Sequence, residues 1–194
     1  PLRPYFLEKP NGKLRVICIP TTSDRIVQGA LLSYLSRKYN ARFSNDISYG
    51  FLKNRGVTSA LQLALNKRKS KQWVFKTDVK AFFDNINRDD LKVKIKKVIQ
   101  ERSLHDLLTR SIECEIQEIN SNKKKLRSLG ILQGRGVRQG MPLSPFFSNV
   151  VLEKFDIAVV KTGYSAIRYA DDLIFFAKDE SQCYEIESFC MRQL

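Results

Sequence analysis

Residues 5–19, Tyr-Phe-Leu-Glu-Lys-Pro-Asn-Gly-Lys-Leu-Arg-Val-Ile-Cys-Ile, alternate apolar and polar positions around Asn11-Gly12. Asn and Gly both tolerate φ > 0, so the pattern predicts a β-hairpin, with Pro20 ending its second strand. The period then changes. Ile26, Ala30, Leu31, Tyr34 and Leu35 recur at helical spacing behind Ser23 or Asp24, either of which can cap a helix. Residues 48–51 read as a turn, and 58–69 as a second helix ending in a basic run. Trp73–Asp78 is a strand by its aromatic and β-branched content. A basic helix opens at Asp89 or Asp90, with Leu91, Ile95, Val98 and Ile99 inward and Lys92, Lys94, Lys96 and Lys97 largely outward. A further helix runs to about residue 118. Residues 121–138 mix lysines, arginines and glycines and are expected to form a mobile basic ribbon or hairpin. Ser144-Pro145 marks a helix start, Ser as N-cap and Pro at the first helical position, with Phe147, Val151, Phe155 and Ala158 on one face. Two short apolar strands span 167–176, with Asp171-Asp172 between them, and a last helix follows from Glu180. Strands separated by helices, with hairpins, predict an α+β fold.

Composition narrows the partners. The 194 residues carry 34 Lys plus Arg against 20 Asp plus Glu, a net charge of +14, which points to a polyanion and to nucleic acid first. Apolar residues make up 43%, enough for a packed core. No apolar run is long enough for a membrane span, and no signal peptide is evident, so a cytoplasmic protein without a membrane partner is expected. The four cysteines form no metal-ligand pair and read as reduced thiols. The single histidine, His105, reads as a helix surface residue, which argues against histidine acid–base chemistry. The chain opens on Pro1 and closes inside a helical pattern, as a piece of a longer protein would.

The sharpest chemical feature is Tyr169-Ala170-Asp171-Asp172. Two adjacent carboxylates at the tip of an apolar hairpin are costly unless a cation neutralises them. Hard oxygen donors suit Mg²⁺ or Mn²⁺. A plain Asx-rich turn would account for an Asp-Asp pair alone. Asp78, at the end of another strand, changes that balance. Three carboxylates from two places can hold two metals about 3.5–4 Å apart, the arrangement that serves in-line phosphoryl transfer.

Four ordered segments carry a family resemblance: residues 9–15 (KPNGKLR), 77–84 (TDVKAFFD), 139–145 (QGMPLSP) and 169–172 (YADD). Together they resemble reverse transcriptases, especially the bacterial group II intron maturase type. The resemblance implies a right-hand polymerase. Residues 1–72 and 88–136 would be fingers, and 73–87 and 137–194 palm, the palm an antiparallel sheet with packed helices in a ferredoxin-like arrangement. The sequence stops before the family's thumb, so the thumb is expected to be absent and the piece weak or inactive by itself. The implied activity is RNA-directed DNA polymerisation from dNTPs with Mg²⁺ or Mn²⁺, on an RNA template and a DNA primer, with the intron's own RNA as a further partner.

The resemblance also implies roles by position. Asp78 and Asp171 would be the main metal ligands, Asp172 an accessory one, and the Val79 carbonyl would complete a shell. Phe83 would be the steric gate against a 2′-hydroxyl. Lys9 and Arg15 would meet the triphosphate, with Lys13 a third candidate, and Gln139 and Gly140 the nucleotide. Asp84 reads as a structural turn residue. Lys123, Lys124, Lys125, Arg135 and Arg138 would contact nucleic acid backbone, as would the helix over 88–101. The competing reading is an RNA-binding maturase-type module that keeps a polymerase shape without chemistry. Three retained acids argue against it, and Phe83 argues against ribonucleotide substrates.

Overall fold

A computed structural model of the chain describes residues 1–117 and 120–194. Two compact units emerge, one built from residues 1–34 and 81–151, the other from 35–80 and 152–194. These boundaries differ from the expected functional division, because residues 35–72 pack with the sheet of the second unit.

The first unit begins with the expected hairpin, β1 (Arg3–Glu8) and β2 (Leu14–Ile19), paired antiparallel with Leu7 opposite Arg15. The connection is longer than a two-residue turn. The Gly12 N–H donates to the Lys9 carbonyl (2.9 Å), and only Gly12 takes a positive φ, +73°. Pro10 and Asn11 therefore form the centre of a turn that Gly12 closes. Helix α1 (Thr22–Phe43) starts the first unit's helical part and continues into the second. Its cap is neither Ser23 nor Asp24. Thr21 Oγ1 accepts the Asp24 N–H (3.1 Å) and donates to the Asp24 carboxylate (2.7 Å), so Thr21 caps the helix. Helix α2 (Val57–Ser70) and strand β3 (Trp73–Asp78) belong to the second unit and match their predicted spans closely.

The one-turn helix α3 (Phe82–Asn85) follows, then α4 (Arg88–Val98). The cap of α4 is Asn87, whose Oδ1 accepts the Asp89 and Asp90 amides (2.9 and 3.1 Å), not either aspartate. Leu91, Ile95, Val98 and Ile99 are buried as expected. Lys96 and Lys97 are exposed, whereas Lys92 is tied to Asp89 and Glu113, and Lys94 donates to the Val151 carbonyl (3.0 Å). Helix α5 (His105–Glu113) comes next; the end expected near residue 118 lies outside the described residues. His105 is half-buried, with Nε2 2.8 Å from the Ile99 carbonyl.

The basic ribbon expected over 121–138 is instead a helix in its first part, α6 (Asn120–Ser128). The Ile131 N–H bonds to the Leu126 carbonyl (3.1 Å) and the Gly130 N–H to Arg127 (3.0 Å), with Gly130 at φ +77°. This is the Schellman ending, with its usual apolar pair in Leu126 and Ile131. Leu126 is 3% exposed and joins Leu2, Val16, Cys18, Ile116 and Met141 in one core cluster. Lys125 lies over the Phe6 ring at 4.1 Å, which fastens α6 to β1.

Helix α7 (Ser144–Thr162) begins at the predicted place, but the Ser144 hydroxyl donates to the Arg138 carbonyl (2.8 Å) rather than capping an amide. The second unit holds β4 (Ser165–Tyr169), β5 (Asp172–Ala177) and α8 (Glu180–Gln193). The sheet order is β3-β5-β4, all antiparallel. A helix before β4, a β4–β5 hairpin inserted beside β3 and a helix after β5 make the α+β, ferredoxin-like arrangement expected of a palm. Its core contains Phe155, Val159, Leu173, Phe175, Ile186 and Phe189. Among the described residues, no helix is long and apolar enough to cross a membrane.

Candidate active site

Strand register decides where the acids lie. Asp78 is the last residue of β3 and pairs directly with Asp172, the first of β5. Directly opposed residues of an antiparallel pair share one face, with Cβ atoms about 5 Å apart. Asp171 is next in the chain, and its carbonyl accepts the Val79 N–H at 3.3 Å. Asp78 and Asp172 are exposed, and Asp171 and Val79 half-buried. The four residues expected at the metals thus come together at one end of the sheet. Their carboxylates do not converge on a point: among the described residues, no three His, Cys, Asp or Glu side chains are grouped as a metal cage. The donor chemistry, exposed carboxylates beside a backbone carbonyl at a ladder's end, fits a hard divalent cation.

A buried framework that the sequence reading missed sets the tip. Ala170 adopts a left-handed conformation, φ +55°. Arg168 is fully buried and grips Asp156 through Nε (2.6 Å) and Nη2 (2.5 Å). It also donates to the Ala170 carbonyl (3.1 Å) and to Ser48 Oγ (2.7 Å). Asn45 Nδ2 donates to Asp156 (3.1 Å), and Asn45 Oδ1 accepts the Ile47 and Ser48 amides. Residues 47–49 run along β4: the Arg168 N–H donates to Ile47 (2.7 Å) and the Tyr49 N–H to Arg168 (2.9 Å). Arg55 ties this strap down, donating to the carbonyls of Asn45 and Ser48 with its guanidinium over the Tyr49 ring. The available signal was charge inside apolar runs, Arg168 in a strand and Asp156 in a helix.

Gly50 completes the packing. A Cβ there would lie 2.4 Å from the Ala170 nitrogen. Gly50→Ala is therefore expected to destabilise the second unit by about 1–3 kcal/mol through overpacking. Urea unfolding checks it, and an unchanged midpoint would show that the tip yields without cost.

The expected nucleotide-binding residues all lie in the first unit. The Cys18 N–H donates to the Gln139 carbonyl (2.7 Å), joining β2 to the Gln139-Gly140 turn. Gly140 sits at φ +102°, and an added Cβ would meet the Cys18 carbonyl at 2.6 Å, so the close approach requires glycine. Arg15 is exposed, and Lys9 and Gln139 half-buried. Phe83 is half-buried while its neighbour Phe82 is 6% exposed, the two rings edge to face at 5.2 Å. The Val137 N–H donates to the Phe83 carbonyl (2.7 Å). Lys124 and Arg135 are exposed, and Lys123 and Lys125 lie on α6.

Arg138 requires a correction. It is 2% exposed, and Nη2 donates to Glu115 and to the Leu132 carbonyl, both at 2.7 Å. A buried guanidinium bonded to a half-buried carboxylate is structural, and the expected phosphate contact is not available to it. Asp84 stands near Arg138. Burial holds its carboxyl above the ordinary value of 3.8, with Arg138 pulling the other way. A raised carboxyl costs stability once ionised: the cost is absent below 3.8 and full above the raised value. Asp84→Asn is therefore expected to melt higher than wild type at pH 7, the gap closing as the pH falls towards 3.8. Equal melting temperatures at pH 7 would contradict this. Burial also pushes the Cys18 thiol up to about 12 and that of Cys190 to about 11, far from reactive thiolates.

Comparison with known proteins agrees with the motif resemblance. A model of the reverse transcriptase (RNA-dependent DNA polymerase) family matches residues 7–194, and the chain belongs to that family. It is 31% identical over 161 residues to protein YkfC of Escherichia coli (strain K12), covering 80% of this chain and 40% of that protein. It is 29% identical over 159 residues to the group II intron-encoded protein LtrA of Lactococcus lactis subsp. cremoris, covering 82% of this chain and 25% of that protein. The intron-encoded type suggested by the motifs is thus among its relatives. The chain spans less than half the length of each. Among solved structures, apo telomerase from Candida tropicalis, truncated from its C-terminal domain, aligns with a TM-score of 0.59 at 17% identity, over 96% of this chain and 45% of that one. At that identity the likeness is one of fold.

Proposed function

We propose that the protein carrying this chain is an RNA-directed DNA polymerase of the group II intron-encoded type, with residues 73–87 and 137–194 acting as palm and 1–72 and 88–136 as fingers. The observation that carries the reading is the register pair Asp78–Asp172, with Asp171 beside it at the hairpin tip. In the reaction, the primer 3′-oxygen forms a bond to the α-phosphorus of a dNTP. The bond to the β-phosphate oxygen breaks, pyrophosphate leaves, and the hydroxyl proton passes to solvent. Asp78, Asp171 and the Val79 carbonyl would hold Mg²⁺ or Mn²⁺, with Asp172 as accessory. The bound ions supply activation of the hydroxyl and charge neutralisation. Lys9 and Arg15 would offset triphosphate charge, and Gln139 and Gly140 would seat the nucleotide. Phe83 would fill the volume a 2′-hydroxyl needs. Lys123, Lys124, Lys125 and Arg135 would hold nucleic acid backbone through salt-sensitive contacts. RNA template, DNA primer and the intron's own RNA are the proposed partners.

The test is extension of a DNA primer on an RNA template by the full protein with dNTPs and Mg²⁺. Expected is extension that EDTA stops and added Mg²⁺ restores. Binding of primer–template without any extension, under Mg²⁺ or Mn²⁺, would favour the RNA-binding module instead.

A further inference from the structure

Phe83 lies on a helix of a single turn, which cannot hold its own geometry. Its N-cap, Ala81, is itself left-handed at φ +49°. What fixes the turn is the segment 132–138. The Val137 N–H donates to the Phe83 carbonyl (2.7 Å) and the Gly136 N–H to the Ile86 carbonyl (3.0 Å). Gly136 lies flat on Asp84: an added Cβ would come within 2.6–2.7 Å of the Asp84 backbone.

That segment is in turn held by one carboxylate. Glu115 Oε1 accepts Arg88 Nη1 (2.6 Å) and the Gly134 N–H (2.7 Å), and Oε2 accepts Arg138 Nη2 (2.7 Å). Arg88 Nε reaches the Gly136 carbonyl (2.7 Å) and Arg138 Nη2 the Leu132 carbonyl (2.7 Å). Leu132, Gly134, Gly136 and Arg138 are thereby all fastened through Glu115 or its two arginines. Arg88 and Arg138 are 7% and 2% exposed, and among the described residues three of their nitrogens (Arg88 Nη2, Arg138 Nε and Nη1) have no hydrogen-bond partner. Glu115 is the carboxylate that both arginines share. Burial alone would raise the Glu115 carboxyl, but bonds from Arg138 and the Gly134 amide outweigh it and hold it below its ordinary value.

We infer that Glu115, through Arg88 and the 132–138 segment, is a positioning residue for sugar discrimination, setting where the Phe83 ring stands against a nucleotide's 2′ position. The inference rests on the reading of Phe83 as the gate. Loosening the clamp lets the one-turn helix shift, and a ring displaced by a fraction of its width admits a hydroxyl. Catalysis with dNTPs, which need no such exclusion, should suffer less.

The test measures single-nucleotide kcat/KM for a dNTP and the matching rNTP with the full protein on an RNA template. Phe83→Ala serves as the reference. Glu115→Gln keeps the size and removes the charge; Arg88→Lys keeps the charge and removes the fork joining Glu115 to Gly136. Both are expected to lower dNTP-over-rNTP discrimination about tenfold, as expected for partial loss of a shape-based exclusion, with a smaller change for the dNTP itself. Should Glu115→Gln fail to fold, Arg88→Lys decides. Reduced discrimination in Phe83→Ala with wild-type discrimination in the clamp variants overturns the inference. Unchanged discrimination in Phe83→Ala overturns the gate reading, and the inference with it.

Discussion

Asp171→Asn should reduce RNA-templated primer extension by about a thousandfold, because a carboxylate that holds a metal contributes several kcal/mol to the transition state. Asp78→Asn should do the same. Asp172→Asn should cost less, as befits the accessory role proposed for it. Stability should move the other way for the two exposed acids. Asp78 and Asp172 face each other across the ladder with like charge, an arrangement that weakens a strand pair. Neutralising either should leave melting unchanged or raise it slightly. The two readouts together separate a chemical role from a structural one. Extension by Asp171→Asn at the wild-type rate would remove that residue from the proposed site.

The second large effect concerns the pair beneath the tip. Asp156→Ala is expected to destabilise the chain by about 3–5 kcal/mol, since it leaves the Arg168 guanidinium buried and uncompensated. Two buried charges have given up water for each other, so losing one costs more than the pair contributes. Replacing both, with Arg168→Met and Asp156→Leu, should recover most of the stability through apolar packing. The double variant should still extend primers poorly, because Arg168 also holds the Ala170 carbonyl and Ser48. Denaturant midpoints check the first two statements and primer extension the third. A wild-type midpoint for Asp156→Ala would mean that the pair is not carrying the hairpin.

The elements with clear periodicity were legible in the residues: the Asn11-Gly12 hairpin, α2, β3, the strands flanking Asp171-Asp172, and α8. Helix starts were legible only approximately. Thr21 and Asn87 cap their helices two or three residues before the residues expected to do so, because a cap lies outside the apolar pattern that announces its helix. Helix α6 was hidden by its charge. Three consecutive lysines among glycines resemble a loop, yet Leu126, Gly130 and Ile131 already spell a helix ending with its apolar clasp. The acids of the candidate site were legible because their spacing resembles a family pattern. Their support was not. Arg168, Asp156 and Ser48, like Glu115, Arg88 and Arg138, lie far apart in sequence, and a pattern that scores every charge as outward has no place for a buried one. Arg138 shows the error directly: basic composition suggested phosphate, and burial gave it a carboxylate.

The strap at residues 47–49 has a consequence for solubility. It bridges Ser48 to Arg168 in parallel fashion and satisfies the outward amide and carbonyl of Arg168. Unpaired edge groups are templates for pairing with another chain, and a connecting segment here closes one margin of the sheet. Lengthening the chain between residues 47 and 49 would open that margin, so an insertion there should make the protein prone to self-association before it affects chemistry.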